Sequence, residues 1–318
     1  MLQRVNSQIA RRTSLRQLQV FEAIARLGSF TRAAEELYLT QPTVSMQIKK
    51  LEDSIGMPLF EQVGKKIYLT NIGDQLLLTA TDVLRSMANF DMAVADQKGL
   101  KTGNLRLAVV STAKYFAPRV LGKFCSLYPG VDVALKVTNR ESLLGRMSKN
   151  IDDLYIMGRP PGSDEYEFQS FMENPIVIVA PANHPLAGEK DIPLQRIIEE
   201  PFIMREHGSG TRSAVESLFA GHKLKLKVRM ELGSNEAIKH AIAGGLGISA
   251  LSEKTMDLDS ERELVKLDVQ DFPIPKKWFI GFPAGKRLSV IAQTFLEFMK
   301  NEISQSSQQQ SKHTSQPR

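Results

Sequence analysis

Between Ser29 and Glu52 the apolar positions fall into two short helical rhythms that meet at a tight turn. The first sets Ala33, Ala34 and Leu37 on one side behind a capping Ser29 and breaks at Tyr38 and Leu39. The second begins with Thr40 as N-cap, tolerates Pro42 in its first turn, and repeats Val44, Ile48 and Leu51 at i, i+4 and i+7. That inward stripe turns Thr43, Met46 and Lys50 outward and leaves Gln47 at its edge. After a stop at Gly56, residues 59–62 and 67–70 read as two short strands about a Gly64-Lys65-Lys66 turn. From Asp74 no Gly or Pro interrupts the chain until Gly99, and Leu76, Ala80, Val83, Met87, Phe90 and Val94 alternate spacings of four and three. This a/d seam calls for pairing with another helix, since one helix cannot bury it by itself; the alternative is packing on its own chain.

The helical pattern ends at GLKTGNL, residues 99–105, and an α/β rhythm follows. LRLAVV, VDVALKV and DLYIMG alternate with helical FAPRVLGKFCSLYP and ESLLGRMSKN. A second rhythm runs from ENPIVIVAPANHPL through PFIM, LKVRMEL and SNEAIKHAIAGGLGISALSE, and KKWFIGF with LSVIAQTFLEFMKN closes back onto the first. The expected organisation is an extension (1–14), a helix-turn-helix unit with its hairpin (15–73), a long helix (74–98) and an α/β domain (104–302). Within the last, lobe I spans 104–173 and 276–302 and lobe II 174–275. The Ser/Gln-rich tail, 303–318, is expected to be disordered.

A chain of 318 residues, 42% hydrophobic, is long enough for two or three folding units. Its net charge of +6 favours polyanionic partners without deciding between them. Cys125 is the only cysteine, so no intrachain disulfide or cysteine-rich metal site forms, in keeping with a reducing compartment. Arg11-Arg12 superficially suggests a twin-arginine export signal, but Arg16, Glu22 and Arg26 interrupt any apolar export core. With no stretch apolar enough to span a membrane, the expected location is the cytoplasm and no membrane partner is implied.

The two helices and the hairpin make a DNA-reading arrangement. Thr and Gln side chains can hydrogen-bond base edges, a Met or Thr methyl can meet thymine, and lysines can neutralise phosphates. The candidate contacts are Thr31, Arg32, Gln41, Pro42, Thr43, Met46, Gln47, Lys49 and Lys50, with Lys65 and Lys66 at the hairpin tip. In the α/β region, ligands collect where strands end and helices begin. Three segments qualify: Ser111-Thr112, Thr138-Asn139, and REHGSGTR, where Arg205, Ser209, Gly210, Thr211 and Arg212 suit an anion. GGLGIS joins a helix to a strand, unlike a dinucleotide fingerprint, and offers Ile248 to the cleft. Arg140 and Arg159, near predicted strand ends, equally suit surface ion pairs and are set aside. No Gly-x-Ser-x-Gly elbow, phosphate-binding Walker loop or metal-ligand cluster occurs, so no catalytic residue, metal or cofactor is assigned and no enzyme is expected.

Residues 15–73 closely resemble the N-terminal winged helix-turn-helix of the LysR-type transcriptional regulators. The resemblance rests on the AA pair, QPTVS-x-QI-x-x-LE, G-x-PLF and the closing LT-x-x-G. Met46 and Gln62 stand where many members carry a basic residue. The likeness extends to about residue 300 and implies a winged helix-turn-helix, a long dimerising linker helix and a two-lobed, periplasmic-binding-protein-like α/β effector domain. It further implies promoter DNA as partner, homodimers or homotetramers, altered access for RNA polymerase, and a small-molecule effector. SMQIKKLE, VSTAKYFAP and REHGSGTR are most similar to regulators of carbon-fixation operons in autotrophic bacteria and cyanobacteria. That subgroup implies phosphorylated or carboxylated metabolites as effectors. The alternatives are a LysR-type regulator of another pathway, a constitutive DNA-binding protein without site preference, and a free-standing solute-binding protein, which leaves the first hundred residues unexplained.

Overall fold

The computed structural model describes residues 8–64, 66–99, 101–256 and 263–313. It divides into two compact units, Met1–Val94 and Ala95–Arg318. In the first, α1 (Gln8–Arg12), α2 (Leu15–Leu27), α3 (Phe30–Glu36) and α4 (Gln41–Ile55) precede an antiparallel hairpin, β1 (Phe60–Val63) and β2 (Lys66–Leu69). Helix α5 (Asn71–Gln97) follows and runs past the unit's end. Local chemistry sets the helix ends. Ser14 and Gln17 close a reciprocal capping box on α2, with Oγ accepting from Gln17 N at 3.2 Å and Oε1 from Ser14 N at 2.8 Å. Ser29 caps α3 and Thr40 caps α4, while Gly56, at φ 79°, ends α4 in a left-handed turn. Phe21, Val44, Ile48, Leu51 and Leu59 share one core.

The hairpin strands sit one residue from their expected positions. Leu59 stays outside because its N–H is taken by the Glu52 carboxylate at 2.8 Å. Helix α5 starts at Asn71, three residues early, because Thr70 Oγ1 accepts from Gly73 N at 3.1 Å and satisfies a first-turn donor. Gly73 is buried, and an added Cβ would overlap the backbone oxygen of Leu59. Gly73→Ala should therefore lower the stability of this unit by about 2–3 kcal/mol, measured by denaturant unfolding. A change below about 0.5 kcal/mol would show that the helix can shift freely on the hairpin.

The second unit holds two five-stranded sheets. The first uses β3 (Thr102–Val110), β4 (Gly130–Thr138), β5 (Leu154–Met157), β6 (Tyr166–Glu173) and a late strand, β12 (Lys277–Pro283), in the order β4-β3-β5-β12-β6. Helices α6 (Ala117–Leu127), α7 (Arg140–Ser148) and α11 (Val290–His313) belong to this lobe, as does a 3-10 turn, Ser111–Tyr115. The other sheet, β11-β7-β10-β8-β9, comprises β7 (Ile176–Pro181), β8 (Phe202–Arg205), β9 (Val228–Leu232), β10 (Ile248–Ser252) and β11 (Leu264–Leu267). It carries α8 (Leu194–Ile197), α9 (Gly210–Gly221) and α10 (Asn235–Ala243). The parallel pairs β3/β4, β3/β5, β8/β9 and β8/β10 are the alternating α/β core. The alternating pattern of the sequence missed β6 and β11, antiparallel edge strands without a helix of their own.

The chain crosses between lobes twice, and the two crossings are bonded together. Asn174 N donates to Lys276 O at 2.7 Å, and Ile176 and Ile274 exchange two backbone bonds of 3.0 and 2.9 Å. Just beyond the return crossing lies Trp278, fully buried, with its ring 4.5 Å from that of Phe116 and its indole N–H without an acceptor among the described residues. The C-terminal expectation needs correcting: α11 is helical through His313, where disorder was expected from residue 303. Gln, Ser and Lys sustain a helix in the absence of Gly or Pro, and Pro317 lies beyond it. Residues 314–318 fall outside the described residues, as do 1–7 of the extension. No described helix is long and apolar enough to cross a membrane.

Candidate DNA-facing helix and ligand cleft

On α4, Val44, Ile48 and Leu51 are at most 3% exposed, which fixes the opposite face outward. Gln41, Pro42, Met46, Lys49 and Lys50 are exposed, and Thr43 and Gln47 are half-buried at the margin. Two of these are already engaged: Thr43 Oγ1 shares a 2.8 Å hydrogen bond with the capping Thr40, and Gln41 Nε2 donates to Ser45 Oγ at 3.0 Å. Thr31 and Arg32 are exposed on the first turn of α3, where the Arg32 guanidinium donates to the Leu27 carbonyl. Lys66 is exposed at the hairpin tip, and Lys65 lies outside the described residues. Tyr38, which the sequence marked only as a turn, is 96% exposed at φ 53°.

The expected seam on α5 divides into two halves. Ala80 is fully buried in the core of its own unit, and Leu76 and Val83 pack against that core, so Ala80 is corrected from an interface residue to an internal one. A short methyl side chain lets the helix approach the three-helix core closely. Met87, Phe90 and Val94 remain exposed, at 44, 62 and 38%.

Between the two lobes of the second unit lies a cavity of about 340 Å³. It brings together Ser111, Thr112, Asn139, Arg205, Ser209, Gly210 and Thr211 of the expected set. Asn139 and Ser209 cap α7 and α9, with the Arg140 side chain against Gly210 and Glu141 N donating to Gly208 O at 3.3 Å. Two helix starts, one from each lobe, therefore meet at the cleft and present their positive dipole ends to it.

Three expected residues are not in the lining. Thr138 and Ile248 do not reach it, and Ile248 is wholly buried in the core of its lobe. Arg212 is held away by Glu216 at 2.7 Å, Glu231 at 2.5 Å and the Arg205 carbonyl at 2.9 Å. Conversely, Arg140 and Arg159, which the sequence left aside, line the cavity, as do Asn174 and Lys276 from the interlobe crossings.

The charges at the site are unequal in role. Arg205 is 2% exposed and engaged through all three of its nitrogens, donating to Glu206 at 2.7 and 3.0 Å, Asn235 Oδ1 at 2.6 Å and Ser111 Oγ at 2.9 Å. Glu206 neutralises it. Arg140, Arg159 and Lys276 make no ion pair among the described residues. Arg140 spends two of its donors on the Arg159 carbonyl, at 3.3 and 3.2 Å. Burial, and then repulsion from Arg159, holds both the Arg140 guanidinium and the Lys276 ammonium below their ordinary pKa values. Cations that repel one another around a cavity with no carboxylate among its described lining residues are poised for an anion.

Beside the cavity, the lobes are fastened by Lys114 and Tyr115, which donate to the two oxygens of Glu236, each at 2.5 Å. Burial pushes the Glu236 carboxyl up, but these two hydrogen bonds outweigh it and hold the group at about 2. Burial, followed by the bond to Glu236, raises the Tyr115 hydroxyl above its ordinary value.

Comparison with known proteins places both parts of the chain in one family. Residues 15–74 match the family model described as bacterial regulatory helix-turn-helix protein, lysR family, and residues 98–304 match the LysR substrate binding domain. The chain is 50% identical to the HTH-type transcriptional activator CmpR of Synechocystis sp. (strain ATCC 27184 / PCC 6803 / Kazusa) over 287 residues, 90% of this chain and 94% of that protein. It is 48% identical to the RuBisCO operon transcriptional regulator of Acidithiobacillus ferrooxidans over 290 residues, 91% and 94% of the two chains. Among solved structures, the Synechocystis PCC6803 CcmR regulatory domain in complex with 2-PG superposes with a TM-score of 0.62 at 52% identity, covering 64% of this chain and 98% of that one. Full-length CbnR complexed with its target DNA shares the fold, with a TM-score of 0.67 at 19% identity over 91% and 99% of the chains.

Proposed function

The chain belongs to the LysR family of bacterial regulatory proteins, and from that premise we propose that it is a sequence-specific DNA-binding regulator of transcription whose output is set by a small anionic metabolite in the interlobe cleft. The carrying observation is the cleft itself, where Arg140, Arg159 and Lys276 surround a cavity without a neutralising carboxylate among the described residues. The genes are those of carbon fixation or CO2 uptake; a relative 48% identical is named a RuBisCO operon transcriptional regulator, and one 50% identical a transcriptional activator. The ligand is a phosphorylated or carboxylated metabolite, and 2-PG, held by the CcmR domain, is the first probe to try.

Ligand binding favours one arrangement of the lobes over another and so redistributes a pre-existing equilibrium. The cleft includes both interlobe crossings through Asn174 and Lys276, so an occupant bears directly on the joint between lobes. Chains pair through the exposed part of α5 as dimers or tetramers, which offers two winged units to two half-sites. The protein acts as an activator, in contact with RNA polymerase, in the cytoplasm and without catalysis. Residue assignments on DNA are Thr31, Arg32, Gln41, Pro42, Thr43, Met46, Gln47, Lys49, Lys50 and Lys66, with Gln47 reading bases and Lys66 holding phosphate.

The test is a binding assay on a duplex recovered by the protein from a randomised pool and on its scrambled counterpart. Gln47→Ala should remove about 1–3 kcal/mol of discrimination between them. Lys66→Ala should weaken both complexes alike and lower the salt slope by about one. The reverse pattern, or a wild-type chain that treats the two duplexes equally, would overturn the reading.

A further inference from the structure

The family match begins at residue 15, so α1 lies ahead of it, in a part of the chain that the proposed function does not use. A five-residue helix does not persist in isolation, because too few hydrogen bonds repay the fixing of its first turn. Here α1 packs against α4, the helix whose outer face is assigned to DNA. From Gln8 to Phe21 the sequence holds Arg11, Arg12 and Arg16 and no Asp or Glu. Arg16 ties this region to the turn ahead of α4: its guanidinium donates to Leu37 O at 3.1 Å, one residue before Tyr38 and three before the Thr40 cap. Arg11 and Arg12 are exposed on the last turn of α1. Arg12 makes no ion pair among the described residues, unlike Arg26 in the same unit, which is clasped by Glu22 and Glu36.

We propose that this amino-terminal extension is a basic arm that grips the sugar–phosphate backbone of the same duplex that α4 enters. The proposal rests on the DNA-binding reading above and adds a second, sequence-independent contact to it. Charge complementarity, together with the packing of α1 on α4, selects duplex nucleic acid rather than an acidic protein as the occupant. Arginines suit this role because a planar guanidinium pairs with phosphate oxygens in a forked geometry. Such contacts fix register and raise affinity without reading bases.

The experiment compares the full chain with Arg11→Gln/Arg12→Gln and Arg11→Lys/Arg12→Lys on the selected and scrambled duplexes across a salt series. The glutamine pair should bind both duplexes roughly tenfold more weakly at low salt, with a salt slope shallower by about two. The ratio between duplexes should stay unchanged. The lysine pair should keep the wild-type slope, and circular dichroism should show equal helix content in all three proteins. Unaltered affinity and slope in the glutamine pair would overturn the proposal, as would a loss confined to the selected duplex or a lysine pair no better than glutamine. Failure of the parent reading is distinguishable, since it appears in the unsubstituted chain as an absence of preference between the duplexes.

Discussion

Arg159→Glu is expected to abolish anion binding in the cleft while duplex binding stays intact. Arg159 is the common neighbour of the other two uncompensated cations, and its charge is felt by both Arg140 and Lys276. A bound anion relieves this repulsion and forms charge-assisted hydrogen bonds, each worth about 1.5–3 kcal/mol. The glutamate both removes one such partner and supplies an internal counter-charge to the remaining two. The combined loss should exceed about 3 kcal/mol, more than a hundredfold in Kd. Isothermal calorimetry with a phosphorylated carboxylic acid provides the measurement, and undiminished binding would show that the anion sits elsewhere. The pH dependence has a definite sign. Lys276 loses its proton at lower pH than an ordinary lysine, so in the wild type anion affinity should begin to fall with rising pH below the usual lysine range.

Phe90→Asp should convert a self-associated chain into a monomer. Met87, Phe90 and Val94 fall at i, i+3 and i+7 on α5 and form one apolar strip, whereas Leu76, Ala80 and Val83 on the same face turn inward to their own core. Burying a Phe side chain contributes about 1.5–3 kcal/mol, and a two-fold interface counts it twice. Replacing it by a carboxylate therefore weakens a dimer by roughly two to four orders of magnitude. Sedimentation velocity reads the outcome directly. An unchanged oligomer would place the subunit interface on another surface.

How far these sites were legible depended on the range of the interactions that form them. The outward face of α4 could be read from three apolar positions because helical periodicity is local, and the Thr40 and Gly56 caps act within one turn. The cleft is a meeting of segments far apart in sequence. Ser111, Asn139 and Ser209 could be found because each ends a strand or starts a helix. Lys276 had no such mark, since it reaches the cavity only through the return crossing. Arg212 was assigned to the ligand for its charge, yet Glu216 stands four residues ahead on the same helix face, a local signal that the arginine was already engaged. Its other carboxylate partner, Glu231, lies on β9 and could not be foreseen. Arg140 and Arg159 were left aside as equally suited to surface ion pairs, but no carboxylate among the described residues completes one.

Trp278 is the chain's only tryptophan, two residues past Lys276, and its indole is sealed against Phe116 with no acceptor for its N–H among the described residues. Every photon of indole fluorescence thus originates beside the joint between lobes, in a dry setting that favours short-wavelength emission. A change at that joint which admits water to the ring moves the emission to longer wavelength, so the molecule carries its own optical gauge of lobe movement and needs no attached dye.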